Sequence, residues 1–149
     1  IRIPFKLAPA PDTVKKTAAQ MDISGLNLLL VEDNELNAEI AKTLLSDEGA
    51  NLTVAEDGLQ AVRMFQEKPE GYFDAILMDI MMPVMDGITA TKIIRSLKHP
   101  DAETIPIIAM TANAFREDKE KCLAAGMNAH LAKPIKIENI KRILYEYCV

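Results

Sequence analysis

Five residues of this chain could do chemistry together. Glu32, Asp33 and Asp79 are carboxylates, Thr111 is a hydroxyl and Lys133 is an amine. Each stands just after a short apolar run. Three carboxylates brought close together repel, and the repulsion is relieved when one stays protonated or when a cation binds. A hard divalent ion with oxygen ligands answers that need. Mg²⁺ suits best, because it takes few protein ligands and completes its shell with water and phosphate oxygens. A carboxylate can also accept a phosphoryl group covalently. Phosphoryl transfer asks mainly for positioning and for neutralisation of the equatorial oxygens. Lys133 can supply a cation for that purpose, and Thr111 a hydrogen bond. Taken singly, each residue has a plainer reading: solvated acids at a strand end, a surface lysine, a strand-end threonine. Their joint occurrence points to chemistry.

The elements that must position them alternate regularly. Leu28–Val31, Leu52–Ala55, Phe73–Met78, Ile105–Met110 and Ala129–Leu131 are short apolar runs. Continuous apolar runs suit strands buried on both faces. Between them lie stretches of helical periodicity: Asn37–Asp47, Gly58–Glu67, Ile88–Leu97, Phe115–Ala124 and Ile137–Tyr147. The inward faces are expected to carry Ile40, Ala41, Leu44 and Leu45, then Leu59, Val62 and Phe65, then Ala90, Ile94 and Leu97, and finally Ile140, Leu144 and Tyr147. Gly49 and Gly126 are placed to end helices. Strands alternating with helices form a parallel α/β sheet, here a (βα)5 arrangement. The carboxyl ends of parallel strands share one edge, where ligands bind at the topological switch point. Five residues distant in sequence are thereby expected to meet in one crevice.

Composition narrows the function. A chain of 149 residues is one domain with room for a tail. The net charge of −5 argues against a nucleic-acid surface. No run is long enough to span a membrane, and the first residues lack the apolar core of a signal peptide. Cys122 and Cys148 have no metal-like spacing, which suits a reducing cytoplasm. The glycines stand apart, so no phosphate-cradling loop is formed and nucleotide binding is not expected. His99 sits in a Pro-flanked polar loop and is expected to be solvated.

Residues 1–24 differ from the rest. Ile1, Ile3 and Phe5 alternate with Arg2, Pro4 and Lys6, and Pro9 and Pro11 follow. The pattern reads as a strand fragment and a linker, with the folded domain covering residues 25–149. A cis peptide is available at Lys133-Pro134, and the sequence does not choose between the isomers.

Residues 25–147 resemble the receiver domain of two-component response regulators. The resemblance rests on Val31-Glu32-Asp33-Asn34, on Met78-Asp79-Ile80-Met81-Met82-Pro83-Val84-Met85-Asp86-Gly87, on Ala109-Met110-Thr111-Ala112, and on Lys133-Pro134. It implies a flavodoxin-like doubly wound sheet of strand order 2-1-3-4-5. It implies that Asp79 is the phosphoacceptor, served by the phosphohistidine of a histidine kinase or histidine phosphotransfer domain. By the same resemblance Asp33, Asp79 and the backbone carbonyl of Met81 hold Mg²⁺, while Glu32 acts mainly through a metal-bound water. Thr111 and Lys133 contact the phosphoryl oxygens.

The segments Asp33–Asn37, Ile108–Ala114 and Gly126–Ile135 resemble receivers attached to hybrid sensor histidine kinases. Ile1–Phe5 is similar to the last strand of such a kinase's ATP-binding domain. The resemblance implies a cytoplasmic module, with any membrane attachment made through the parent kinase. This part of the chain then catalyses only its own phosphotransfer and dephosphorylation, and the parent chain is the kinase. Two positions depart from the usual receiver pattern. His130 stands where many receivers have Tyr or Phe, which puts an aromatic switch in doubt. Met81 replaces a residue that is often polar, and an apolar side chain there would shield the phosphoryl group from water. Other readings are a stand-alone response regulator, a degenerate receiver that only binds partners, and a phosphohydrolase with an aspartyl intermediate. The last normally wants a second acid where this chain has Met81.

Overall fold

The structure, a computed structural model, describes residues 23–80, 84–111, 116–132 and 136–148. Of the expected strand and linker of residues 1–24, residues 1–22 lie outside the described residues, as do Met81, Lys133 and Pro134.

Five strands and five helices alternate: β1 (Asn27–Val31), α1 (Glu35–Asp47), β2 (Asn51–Ala55), α2 (Gly58–Glu67), β3 (Ala75–Asp79), α3 (Gly87–Ser96), β4 (Ile107–Thr111), α4 (Arg116–Ala125), β5 (Ala129–Ala132) and α5 (Ile137–Cys148). The strands form one parallel sheet in the order β2-β1-β3-β4-β5. This is the expected (βα)5 sheet with the expected strand order.

The side chains of each strand alternate between faces, and the core is split accordingly. Leu29, Val31, Ile76, Met78, Ile107 and Ala109 face one side, where they meet Ala61, Val62 and Phe65 of α2 and Ala90 and Ile94 of α3. Leu28, Leu30, Ala75, Leu77, Ile108 and Met110 face the other, against Ala38, Ala41 and Leu45 of α1 and Ile140 and Leu144 of α5. Burial of each large apolar side chain stabilises the fold by about 1.5–3 kcal/mol. This explains why β3 and β4, buried at every position, read as unbroken apolar runs. Ile23 is also fully buried in the second cluster, two residues ahead of the expected domain start at Gly25.

Helix starts follow capping chemistry. The side chains of Asn34, Asp57 and Asp86 each accept a backbone N–H three residues on, at 3.0, 2.8 and 2.7 Å. Such caps satisfy donors that have no partner within the helix. The Asn34 cap moves the start of α1 back to Glu35, two residues before the expected Asn37.

Three expected inward residues face solvent instead: Ile40 on α1, Leu59 on α2 and Tyr147 on α5. In α1 the buried stripe is narrow and made of Ala38, Ala41 and Leu45, so Ile40 lies off its edge. In α2 the inward positions next to Leu59 are taken by Gly58 and the Ala61–Val62 pair. Tyr147 turns its hydroxyl to the carbonyl of Asn128 at 3.0 Å. His99 departs from expectation in the opposite sense. It is half-buried, its ring centroid lies 4.5 Å from that of Phe65, and its Nε2 is 2.7 Å from the carbonyl of Lys68. The Asp101 N–H donates to its Nδ1 at 3.1 Å, so the Nε2–H tautomer satisfies both contacts.

Candidate functional site

The carboxyl ends of β1, β3 and β4 come together because the sheet is parallel and in register. Val31 aligns with Met78, Asp79 with Met110, and Thr111 with Ala132. The strand pairing runs on just past the strand ends: Glu32 N–H donates to Ala55 O at 3.0 Å and Ile80 N–H to Met110 O at 3.2 Å. Glu32 and Asp79 therefore leave the sheet side by side. One ligand oxygen from each of Glu32, Asp33 and Asp79 lies within 4.8 Å of the others. The sequence singled out these three acids, and the fold unites them. Thr111 ends the neighbouring strand β4 and aligns with the residue that precedes Lys133.

Environments within the cluster differ sharply. Asp79 is 2% exposed, Glu32 4% and Thr111 5%, whereas Asp33 faces solvent. One oxygen of Glu32 accepts the backbone N–H of Asn34 at 3.1 Å, tying the acid pair to the turn that caps α1. Asp79 thus ends a strand that is buried at every position, and charges are seldom buried without a partner or a task.

The loop that leaves Asp79 is shaped by a close approach. The Gly87 N–H donates to the carbonyl of Ile80 at 3.0 Å. A Cβ at Gly87 would stand 2.2 Å from the carbonyl oxygen of Asp79. Only glycine lets the start of α3 fold back onto β3 there.

Beside the acids opens a hollow of about 380 Å³ lined by Glu32, Asp33, Glu35, Ala38, Val54 and Glu56. Glu35 and Glu56 were not singled out from the sequence. Glu56 had a legible signal: it directly follows β2, as Glu32 directly follows β1, and so reaches the same sheet edge.

The pattern of the response regulator receiver domain matches residues 28–145. The chain belongs to that family. This receiver is 40% identical over 133 residues to hybrid signal transduction histidine kinase I of Dictyostelium discoideum, a match covering 85% of this chain and 7% of that protein. It spans between 7% and 16% of the length of the curated relatives it matches. Among solved structures it is similar to the receiver domain of a sensor histidine kinase of Pseudomonas aeruginosa, with 44% identity and a TM-score of 0.75, covering 84% of this chain and 98% of that one. That structure holds a magnesium ion in its active site cleft. Another similar structure, with 30% identity and a TM-score of 0.72, is the Saccharomyces cerevisiae complex of the histidine phosphotransfer protein Ypd1 with the receiver domain of the response regulator Ssk1. It covers 83% of this chain and 88% of that one.

The donor set fits magnesium. It consists of hard carboxylate oxygens alone, without His or Cys, and the exposed Asp33 leaves one side open to water and phosphate oxygens.

Proposed function

We propose that this receiver accepts a phosphoryl group on Asp79 from the phosphohistidine of a partner, with Mg²⁺ held by Glu32, Asp33 and Asp79. The observation that carries the reading is the convergence of those three carboxylates at the end of a buried strand. In the transfer a carboxylate oxygen of Asp79 attacks phosphorus. The P–O bond forms as the P–N bond to the imidazole breaks, and the imidazole nitrogen keeps the electron pair and takes a proton. Bound Mg²⁺ would neutralise charge on the phosphoryl oxygens and on the acids.

The protein's own residues do the rest. Burial holds Asp79 in one orientation at the strand end. Asp33 reaches the open side of the cluster, and Glu32 is held by the Asn34 N–H. The resemblance assigns the hydroxyl of Thr111, at the end of β4, to a phosphoryl oxygen. The resemblance assigns Met81 the backbone carbonyl ligand and Lys133 the neutralising ammonium, and both are retained in the proposal. Hybrid kinases among the relatives support a place within a hybrid sensor histidine kinase, whose donor or acceptor is a kinase or phosphotransfer domain. Such a chain works on the cytoplasmic side. No helix among the described residues is long and apolar enough to cross a membrane.

The test is direct. Incubation with acetyl phosphate and Mg²⁺ should add one phosphoryl mass, borne by Asp79. Chelator should abolish the addition, and Asp79→Asn should not be stably labelled. Full labelling in chelator, or of the Asn variant, would reject the assignment.

A further inference from the structure

Gly58 opens α2, and nothing in its own backbone asks for glycine. Gly25, Gly49, Gly71 and Gly126 take positive φ, whereas Gly58 is helical. Within a helix, glycine is a poorer choice than almost any other residue. The reason for it lies in a neighbouring segment. A Cβ at Gly58 would stand 2.6 Å from the carbonyl oxygen of Met85, 3.0 Å from the Ala90 Cβ and 3.1 Å from the Met85 Cβ. The first of these is a backbone atom and the second a methyl group fixed to α3, so neither can swing aside.

The same stretch of chain makes a second close approach two residues on. A Cβ at Gly87 would be 2.2 Å from the carbonyl oxygen of Asp79 and 2.9 Å from its carbonyl carbon. Met85–Gly87 is thus held by α2 at one end and by the peptide of Asp79 at the other. The supports are themselves pinned. At the start of α2 the Asp57 side chain accepts the Gln60 N–H at 2.8 Å, and the Gln60 side chain accepts the Glu56 N–H at 3.0 Å. At the start of α3 Asp86 is fixed as the cap, and the Thr91 hydroxyl donates to the Gly87 carbonyl at 2.8 Å. The Gly87 N–H donates in turn to the carbonyl of Ile80 at 3.0 Å. In surroundings packed this closely, a displacement at one contact is passed on to the next.

Phosphoryl transfer depends mainly on how the reacting groups are positioned. Resting on the receiver reading above, we infer that Gly58 is a positioning residue for phosphoryl transfer to Asp79. Because it has no side chain, Met85 can lie against α2, and Gly87 thereby seats on the Asp79 carbonyl and fixes the direction of the Asp79 carboxylate. A methyl group at position 58 displaces Met85–Gly87, and the peptide of Asp79 with it. Gly58 acts through that segment and not by contact with the phosphoryl group.

The experiment follows acetyl phosphate labelling of the full chain at saturating Mg²⁺, under conditions where each variant is folded. Gly58→Ala should lower the maximal labelling rate about tenfold, less than an ångström of misplacement can cost. It should also shift the backbone resonances of Asp79 and Gly87. Ile23→Ala is the control, since Ile23 is buried in the core on the opposite face of the sheet. It should lose stability yet keep the parental rate and the parental resonances of Asp79 and Gly87. An unchanged rate in Gly58→Ala would overturn the inference. So would an equal loss of rate in Ile23→Ala, or a loss in Gly58→Ala that leaves the Asp79 and Gly87 resonances unmoved. Should Gly58→Ala not fold, the double variant Gly58→Ala/Ala90→Gly, which takes away one of the crowding neighbours, is held to the same expectations. Failure of both to fold would make the role of Gly58 structural only and overturn the inference as well. A parent chain that acetyl phosphate does not label would instead overturn the receiver reading beneath it.

Discussion

Glu32 and Asp33 are neighbours in sequence and opposites in environment. Glu32 is buried with one oxygen committed to the Asn34 N–H, whereas Asp33 is exposed. A glutamine at position 32 can keep its amide oxygen on that N–H. An asparagine at position 33 replaces a carboxylate that has no such duty. Asp33→Asn should therefore weaken Mg²⁺ binding more than Glu32→Gln does, by about tenfold or more. Metal titration of each variant, followed by calorimetry, checks this without any phosphodonor. Equal losses would show that the two roles are wrongly divided.

At the scale of elements, the site depends on how closely α3 returns to β3. Gly87→Ala places a methyl group against the Asp79 carbonyl, and a backbone atom cannot swing aside as a flexible side chain can. The expected loss is about 3 kcal/mol, near the upper end for overpacking. It should be read by denaturant unfolding alongside a fall in acetyl phosphate labelling. A stable, fully active Gly87→Ala would show that the loop yields. The elements themselves were largely legible in the sequence, because strands buried on both faces leave unbroken apolar runs. Their edges were less so. Asp79 and Thr111 are the last residues of β3 and β4 rather than the first beyond them, since backbone pairing continues where the apolar run stops. The outward turn of Ile40 and Leu59 was not legible, because several apolar residues on a short helix compete for one buried stripe.

For the whole molecule, the sheet carries one core on each face, and the ends of the chain close it. Ile23 enters the face built by α1 and α5, where Lys141 also reaches Glu48 of the α1 cap at 2.6 Å. The alternating pattern of residues 1–5 is too short to bury itself, and a Pro-bearing stretch separates it from the sheet. Deleting residues 1–22 should thus change stability by less than about 1 kcal/mol and leave labelling intact. Removing Ile23 as well should cost about 2 kcal/mol or more, as loss of a buried isoleucine does. Thermal and denaturant unfolding of the two truncations decide it. A large loss from the shorter deletion would make the leading segment part of the domain.

By itself the sequence determined the alternation of strands and helices, and through it the edge at which Glu32, Asp33, Asp79 and Thr111 meet. Hydrophobic periodicity is a local property, and parallel pairing then brings all strand ends to one side. Only the tertiary structure decided which polar residues are buried and which apolar ones are left in water. Arg95 is a case in point. It looks like an ordinary helical arginine, yet it donates to the carbonyls of Gly126 and Ala102 and to the side chain of Asn128. Burial pushes its guanidinium below its ordinary value. Val84 is the converse, an apolar residue left exposed on a strained backbone. Both outcomes depend on partners far away along the chain, at Gly126 for the arginine and at Gly58 for the loop. No local pattern encodes a distance between residues that meet only when the sheet has closed.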